Sequence, residues 1–157
     1  MQAIDYKQLV EGIGDAAVVC DAAGAIIVWN DAAVRMFGFS REEALGKSLD
    51  IIIPERQRQR HWDGYNKSMA TGETRYGNDV LRVPALHRDG RNLSIAFTVA
   101  MLYDEARKVT AIVAVVRDET QRWSEERQMR IRLAQLEAAA KSADKATSKE
   151  EEMSAQQ

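Results

Sequence analysis

The chain has 157 residues, 45% of them hydrophobic, with 22 Lys and Arg against 24 Asp and Glu for a formal net charge of -2; that length buries one core, and the balance supplies no basic field for a nucleic-acid backbone. The longest apolar runs fall far short of the roughly 20 residues a membrane helix needs, so neither nucleic acid nor a membrane is an expected partner. A single cysteine, Cys20, excludes an internal disulfide, and the polar start MQAIDYKQ lacks the basic and apolar regions of a signal peptide, so a cytoplasmic location is expected.

In chain order, Ile4, Leu9, Val10 and Ile13 form a partial helical stripe that stops at the glycines of positions 12 and 14, which predicts a short helical cap over residues 1–14. AAVVCD and AIIVWN are apolar β-rich runs separated by Ala22, Ala23 and Gly24, a hairpin pattern. Asn30 and Asp31 are good N-caps for DAAVRMFGF, and Ser40 with Glu43 forms a capping box for the next helix, which Gly46 ends. The longest early helix is expected over residues 54–72: Pro54 suits a first turn, Glu55 lies at the positive end of the macrodipole, and Gly72 closes it. His61, Tyr65 and Met69 recur there at i, i+4 and i+8 and share one face.

Three strands follow, over residues 78–86, 92–102 and 109–116, with RDGR at 88–91 supplying turn chemistry between the first two. Leu93, Ile95, Phe97, Val99 and Met101 alternate with small or polar residues, so one face of that strand is apolar. The order predicts an α+β domain, a five-stranded antiparallel sheet with helices on one face and a cavity between the sheet and the long helix. From Thr120 to about Ser142 there is no Gly or Pro, and Met129, Leu133, Leu136 and Ala140 recur at 4, 3, 4 spacing, the seam of a coiled coil. With Leu9 and Val10 of the leading helix, these residues are the expected homodimer interface. The last stretch, KSADKATSKEEEMSAQQ, is polar and aromatic-free, which predicts disorder.

These features resemble a known family. GDAAVVCDAAGAIIVWNDAAVRMFGFSREEALGKSL, then IIPERQRQRH, ATGE, the RDG hairpin and VVRDET, in that order and spacing over about residues 3–120, are similar to a PAS sensor domain. The resemblance implies a PAS fold flanked by helices: an N-terminal cap at 1–14, a PAS core at 15–118, a signalling helix at 119–141 and a disordered tail at 142–157. It implies a sensory function in which Asp118 and Thr120 link the core to the output helix opened by Trp123, with a downstream signalling protein or domain as partner.

The long helix carries no cysteine, so the adduct chemistry of the flavin-binding light sensors of this family is not expected, and Cys20 reads as a small core residue. RHWDGYNKSMATGE resembles the rhizobial oxygen-sensing kinases, where an Arg-His-Asp-Gly-Tyr run leads to Ala-Thr-Gly-Glu and the histidine binds heme iron. His61 stands eleven residues before Gly72, the same step. What this implies is a heme b pocket with His61 as the proximal iron ligand, walled by Tyr65, Met69, Leu81, Ile95, Phe97 and Val99, that senses O2, CO, NO or redox state. Trp62 intervenes in the run, and Leu81 stands where an arginine would face the bound ligand, Arg82 pointing the opposite way. The alternative is a cofactor-free or other small-ligand PAS module for dimerisation and protein interaction. His87, beside the hairpin turn, is expected to be solvated. Nothing resembles a nucleophile with its base, a paired-carboxylate site or a phosphate loop, so enzymatic activity is not expected.

Overall fold

A computed structural model describes residues 2–74 and 78–156. Its first third is organised by the side chain of Asn30, which is fully buried. Asn30 Oδ1 accepts from the Ala33 amide at 3.0 Å as the N-cap of helix α2 (Asp31–Phe37), and from the Ala17 amide at 2.9 Å in strand β1 (Ala16–Asp21). Its Nδ2 donates to the Val10 carbonyl at 2.9 Å in α1 (Tyr6–Gly12) and to the Asp15 carbonyl at 3.1 Å. One amide thus satisfies four backbone groups that the surrounding apolar packing removes from water. Arg41 reinforces the junction, donating to the Trp29 carbonyl at 2.9 Å, to Asp31 at 2.6 Å and to Glu11.

The sheet grows outward from β1. Strand β2 (Ile26–Trp29) pairs with one edge of β1, and the meander β3 (Leu81–Leu86), β4 (Asn92–Tyr103) and β5 (Val109–Asp118) returns to pair with the other, giving the order β2-β1-β5-β4-β3, antiparallel throughout. Phe97 stands opposite Leu81 and Val116, and Ala114 opposite Val18, so the alternating apolar positions share one face. Trp29, Phe37, Ile52 and Tyr65 close the core over that face. This is the expected α+β architecture. Strand β3 starts at Leu81 rather than at 78, where its pairing with β4 begins; residues 75–77 of the preceding segment lie outside the described residues. It is an edge strand, the one place where Pro84 costs no ladder hydrogen bond.

The helices follow their caps. Helix α3 (Arg41–Ala44) has the Ser40–Glu43 capping box, and a 3-10 turn (Leu49–Ile52) is capped by Ser48. Helix α4 (Glu55–Thr71) has Pro54 at its N-cap rather than inside its first turn, and ends where Gly72 takes φ +69 and donates to the Ser68 carbonyl at 3.0 Å. Helix α5 (Thr120–Ala155) runs well beyond residue 141. The tail expected to be disordered is helical up to Ala155 because it contains neither Gly nor Pro and is rich in Ala, Lys and Glu, residues that favour helix whether or not anything packs on them. Its polarity governs packing, not backbone conformation.

The chain divides into two units, residues 1–120 and 121–157. Within the second, Met129, Leu133 and Leu136 are all exposed. Among the described residues no helix is long and apolar enough to cross a membrane.

Candidate functional site

Helix α4 brings His61, Tyr65 and Met69 to one side, as their spacing requires. Tyr65 is buried, and its hydroxyl donates to the Asp21 carbonyl at the end of β1 at 2.5 Å. Burial raises the pKa of that hydroxyl, with the Cys20 and Asp21 charges acting in the same sense, so it remains a donor. Met69 is half-buried against the core. The His61 ring lies 5.9 Å from that of Tyr65 and 4.6 Å from that of Trp62, the latter edge-on at 83°.

His61 Nδ1 is buried and has no hydrogen-bond partner, the only such side-chain nitrogen or oxygen among the described residues. Desolvation lowers the imidazole pKa, opposed by the Asp50 carboxylate, and so favours the neutral ring. Leaving a buried polar atom unpaired costs roughly 1–3 kcal/mol, a cost that the packing around this ring has to offset.

Trp62, which interrupts the helix motif, does not compete for that role. Its ring lies on Gly24, where φ is +84 and an added Cβ would stand 2.4 Å from Cη2 and Cζ3. Its Nε1 donates to Asp50 Oδ1 at 2.7 Å. Trp62 is therefore anchored at both ends of its indole, and His61 keeps the unpaired nitrogen.

The facing strands match the expectation in part. Leu81 and Phe97 are half-buried directly opposite each other, and Ile95 is buried in the core. Arg82 is exposed with its Nε 3.4 Å from Glu119 Oε2, so Leu81 rather than a cation occupies the inward position of β3. Val99 does not continue a closed wall. The buried stretch of β4 ends at Ala96, and Val99 lines an open depression of about 270 Å³ with Thr98, Ala100, Val113, Val115 and Asn78. Four of these, Thr98, Ala100, Val113 and Val115, belong by alternation to the face away from the core.

His87 is not solvated as expected. Its side chain is 15% exposed, and its ring lies against Gly38, where an added Cβ would meet Cε1 at 2.6 Å. The absence of a side chain at Gly38 lets the hairpin tip dock, with the Arg88 amide donating to the Phe37 carbonyl at 2.8 Å. His87 Nδ1 accepts from the Asp89 amide at 3.1 Å, so it is already used within the hairpin.

At the exit from the sheet, Asp118 Oδ1 accepts from the Thr120 amide at 2.9 Å and from its hydroxyl at 2.5 Å. Thr120 Oγ1 in turn accepts from the Ser94 amide at 3.0 Å, and the Glu119 amide donates to the Ser94 carbonyl at 2.8 Å. The exit turn is thereby stitched to β4 between Leu93 and Ile95. Trp123 is exposed in the first turn of α5, with the Arg127 guanidinium 5.5 Å from its ring. Leu9 is exposed and Val10 half-buried.

The donor set decides what this site could hold. No group of three or more His, Cys, Asp or Glu suited to a metal ion occurs among the described residues, so a bare ion lacks ligands. A metal held in a porphyrin needs only one protein ligand, and His61, its ring neutral beside Trp62 and Tyr65, is the described residue of the right chemical type. Sequence spacing put His61, Tyr65 and Met69 on one helix face, as they lie, but did not reveal Asp50 or the contact of Trp62 with Gly24; a turn glycine is legible, whereas the ring that rests on it, 38 positions later, is not.

A family model described as the PAS fold matches residues 4–118. The sensor protein FixL of Bradyrhizobium diazoefficiens is 27% identical over 132 residues, covering 84% of this chain and 25% of that protein. The oxygen sensor protein DosP of Escherichia coli is 23% identical over 138 residues, covering 83% of this chain and 17% of that protein. The chain thus spans a quarter or less of these relatives. The solved PAS domain of a Colwellia psychrerythraea protein superposes with a TM-score of 0.65 at 22% identity, covering 74% of this chain and 95% of that one.

Proposed function

Because the chain belongs to the PAS family, we propose that it is a sensory module that binds heme b through His61 and responds to a diatomic gas or to redox state. The observation that carries this reading is the His61 ring itself, kept neutral by burial on the α4 face that also carries Tyr65 and Met69, with no protein group engaging its Nδ1. Similarity to a sensor protein and to an oxygen sensor protein adds support. Heme, when bound, supplies an iron that takes O2, CO or NO or changes oxidation state. The chain's own residues do the rest. Ile95, Phe97 and Met69 belong to or pack on the core and Leu81 stands opposite Phe97, so these side chains would supply the apolar side of the pocket, and no polar side chain of β3 faces inward to favour O2 over CO or NO. Tyr65 ties α4 to the end of β1, so a displacement of α4 is felt in the sheet. Ser94, Thr120 and Asp118 connect β4 to the start of α5.

In this reading the exposed Met129, Leu133 and Leu136 seam, with Leu9 and Val10, joins two copies, and ligand binding biases their arrangement. The module acts by binding rather than catalysis, in the cytoplasm, and passes its signal to a downstream protein or domain. A second reading, a cofactor-free interaction module, is favoured by the open depression on the outer sheet face, where Val115 is 36% exposed. The absorption spectrum of the full chain purified after heme supplementation separates the two: a stoichiometric Soret band supports the sensor, and a colourless protein leaves the interaction module.

A further inference from the structure

We infer that Trp62 is a positioning residue that fixes the orientation of the His61 imidazole, with Gly24 as its seat; this rests on the reading of His61 as the ligand-binding histidine. A ligating histidine is commonly oriented by a hydrogen bond from its second ring nitrogen to a carboxylate or carbonyl. His61 Nδ1 has no such partner, so the orientation of this ring has to come from packing.

Two rings bound it, and each is pinned at its far end. Tyr65 is held by its hydroxyl on the Asp21 carbonyl at 2.5 Å, and Trp62 by Nε1 on Asp50 Oδ1 at 2.7 Å. The two are themselves in contact, 5.1 Å apart at 71°. Asp50 is in turn held in place, because Arg58 donates to the Asp50 carbonyl at 3.3 Å and to the Ile53 carbonyl at 3.1 Å, fixing the 3-10 turn. Trp62 also reaches Gly24, and Gly24 donates its amide to the same Asp21 carbonyl that Tyr65 uses, at 3.0 Å. The β1–β2 turn is therefore gripped by both rings that flank His61. A residue that merely filled the core would need neither the indole N–H bond nor a seat that only glycine leaves open.

The test is NMR of the heme-free full chain with labelled histidine, combined with hemin titration of the same proteins. Wild type should give one set of His61 ring signals displaced by the indole ring current. Trp62→Leu should move them towards averaged values and weaken hemin binding about tenfold or more, the range for loss of an orienting partner. Trp62→Phe, which keeps a ring against Gly24, should recover most of both. Gly24→Ala, which crowds the indole from the β1–β2 turn and strains that turn at φ +84, should act like Trp62→Leu on the His61 signals; it also keeps the test open should Trp62→Leu not fold. His61 signals and hemin affinity unchanged in Trp62→Leu and Gly24→Ala would overturn the assignment. A wild type that binds no hemin, with His61 signals that still depend on Trp62, removes the heme reading and leaves the positioning role standing.

Discussion

At the scale of single residues, Asn30 is the polar side chain on which the first third of the fold depends. Asn30→Ala deletes two accepted and two donated hydrogen bonds, and takes this partner from the Ala17 and Ala33 amides and the Val10 and Asp15 carbonyls. At roughly 1–3 kcal/mol for each unsatisfied buried group, partly relieved by water, the loss should be about 3 kcal/mol or more. Urea unfolding should show a lower midpoint with an unchanged slope. Cys20 makes an independent test of the core. Burial, with the Asp21 charge adding to it, pushes its thiol up to about 12 from 9.0. Alkylation at pH 8 should therefore be negligible in the native protein and prompt in urea. The sign for stability follows: between those values the unfolded chain loses the proton and the folded chain keeps it, so this group's contribution falls as pH rises above about 9.

At the scale of elements, the exit turn and α5 are the parts whose sequence signals differ most in strength. The Asp-x-Thr pattern at 118–120 was legible, but the partner that gives it meaning, Ser94, was not, since nothing in its own neighbourhood marks it. Thr120→Val should cost about 1–2 kcal/mol and raise hydrogen exchange at the Ser94 amide while leaving the rest of β4 protected; unaltered exchange would place the junction elsewhere. Helix α5 was underestimated because a lack of aromatics was read as a lack of structure. Truncation after residue 141 should reduce far-ultraviolet helical signal by the share of the residues removed, whereas a disordered tail would leave it unchanged. If two copies join as proposed, replacing Leu133 and Leu136 with Lys should lower the mass read by light scattering towards that of one chain, since two unpaired charges would enter the seam; an unaffected mass would show that the seam is simply a solvated face.

At the scale of the whole molecule, the strand periodicity and the capping residues carried the fold, because alternation and caps are local properties of the chain. The sheet order, by contrast, depends on β1 pairing with β5 across ninety or more positions, which no local signal in the chain marks. The site divides in the same way. The shared face of His61, Tyr65 and Met69 was legible because any helix enforces that spacing. The place of Val99 and the burial of His87 both depend on what packs from a distant element: Val99 is only half-buried beyond the closed part of β4, and Gly38 admits the His87 ring. Leu81 and Arg82 were placed correctly, since an unbulged strand fixes their faces. The central claim is that one histidine, and not the other, gives this domain its ligand. Hemin titration of the wild type, His61→Ala and His87→Ala, followed by the Soret band, tests it most directly. The account predicts stoichiometric binding by the wild type and by His87→Ala and loss of stable binding in His61→Ala; a His61→Ala protein that binds hemin as the wild type does would contradict it.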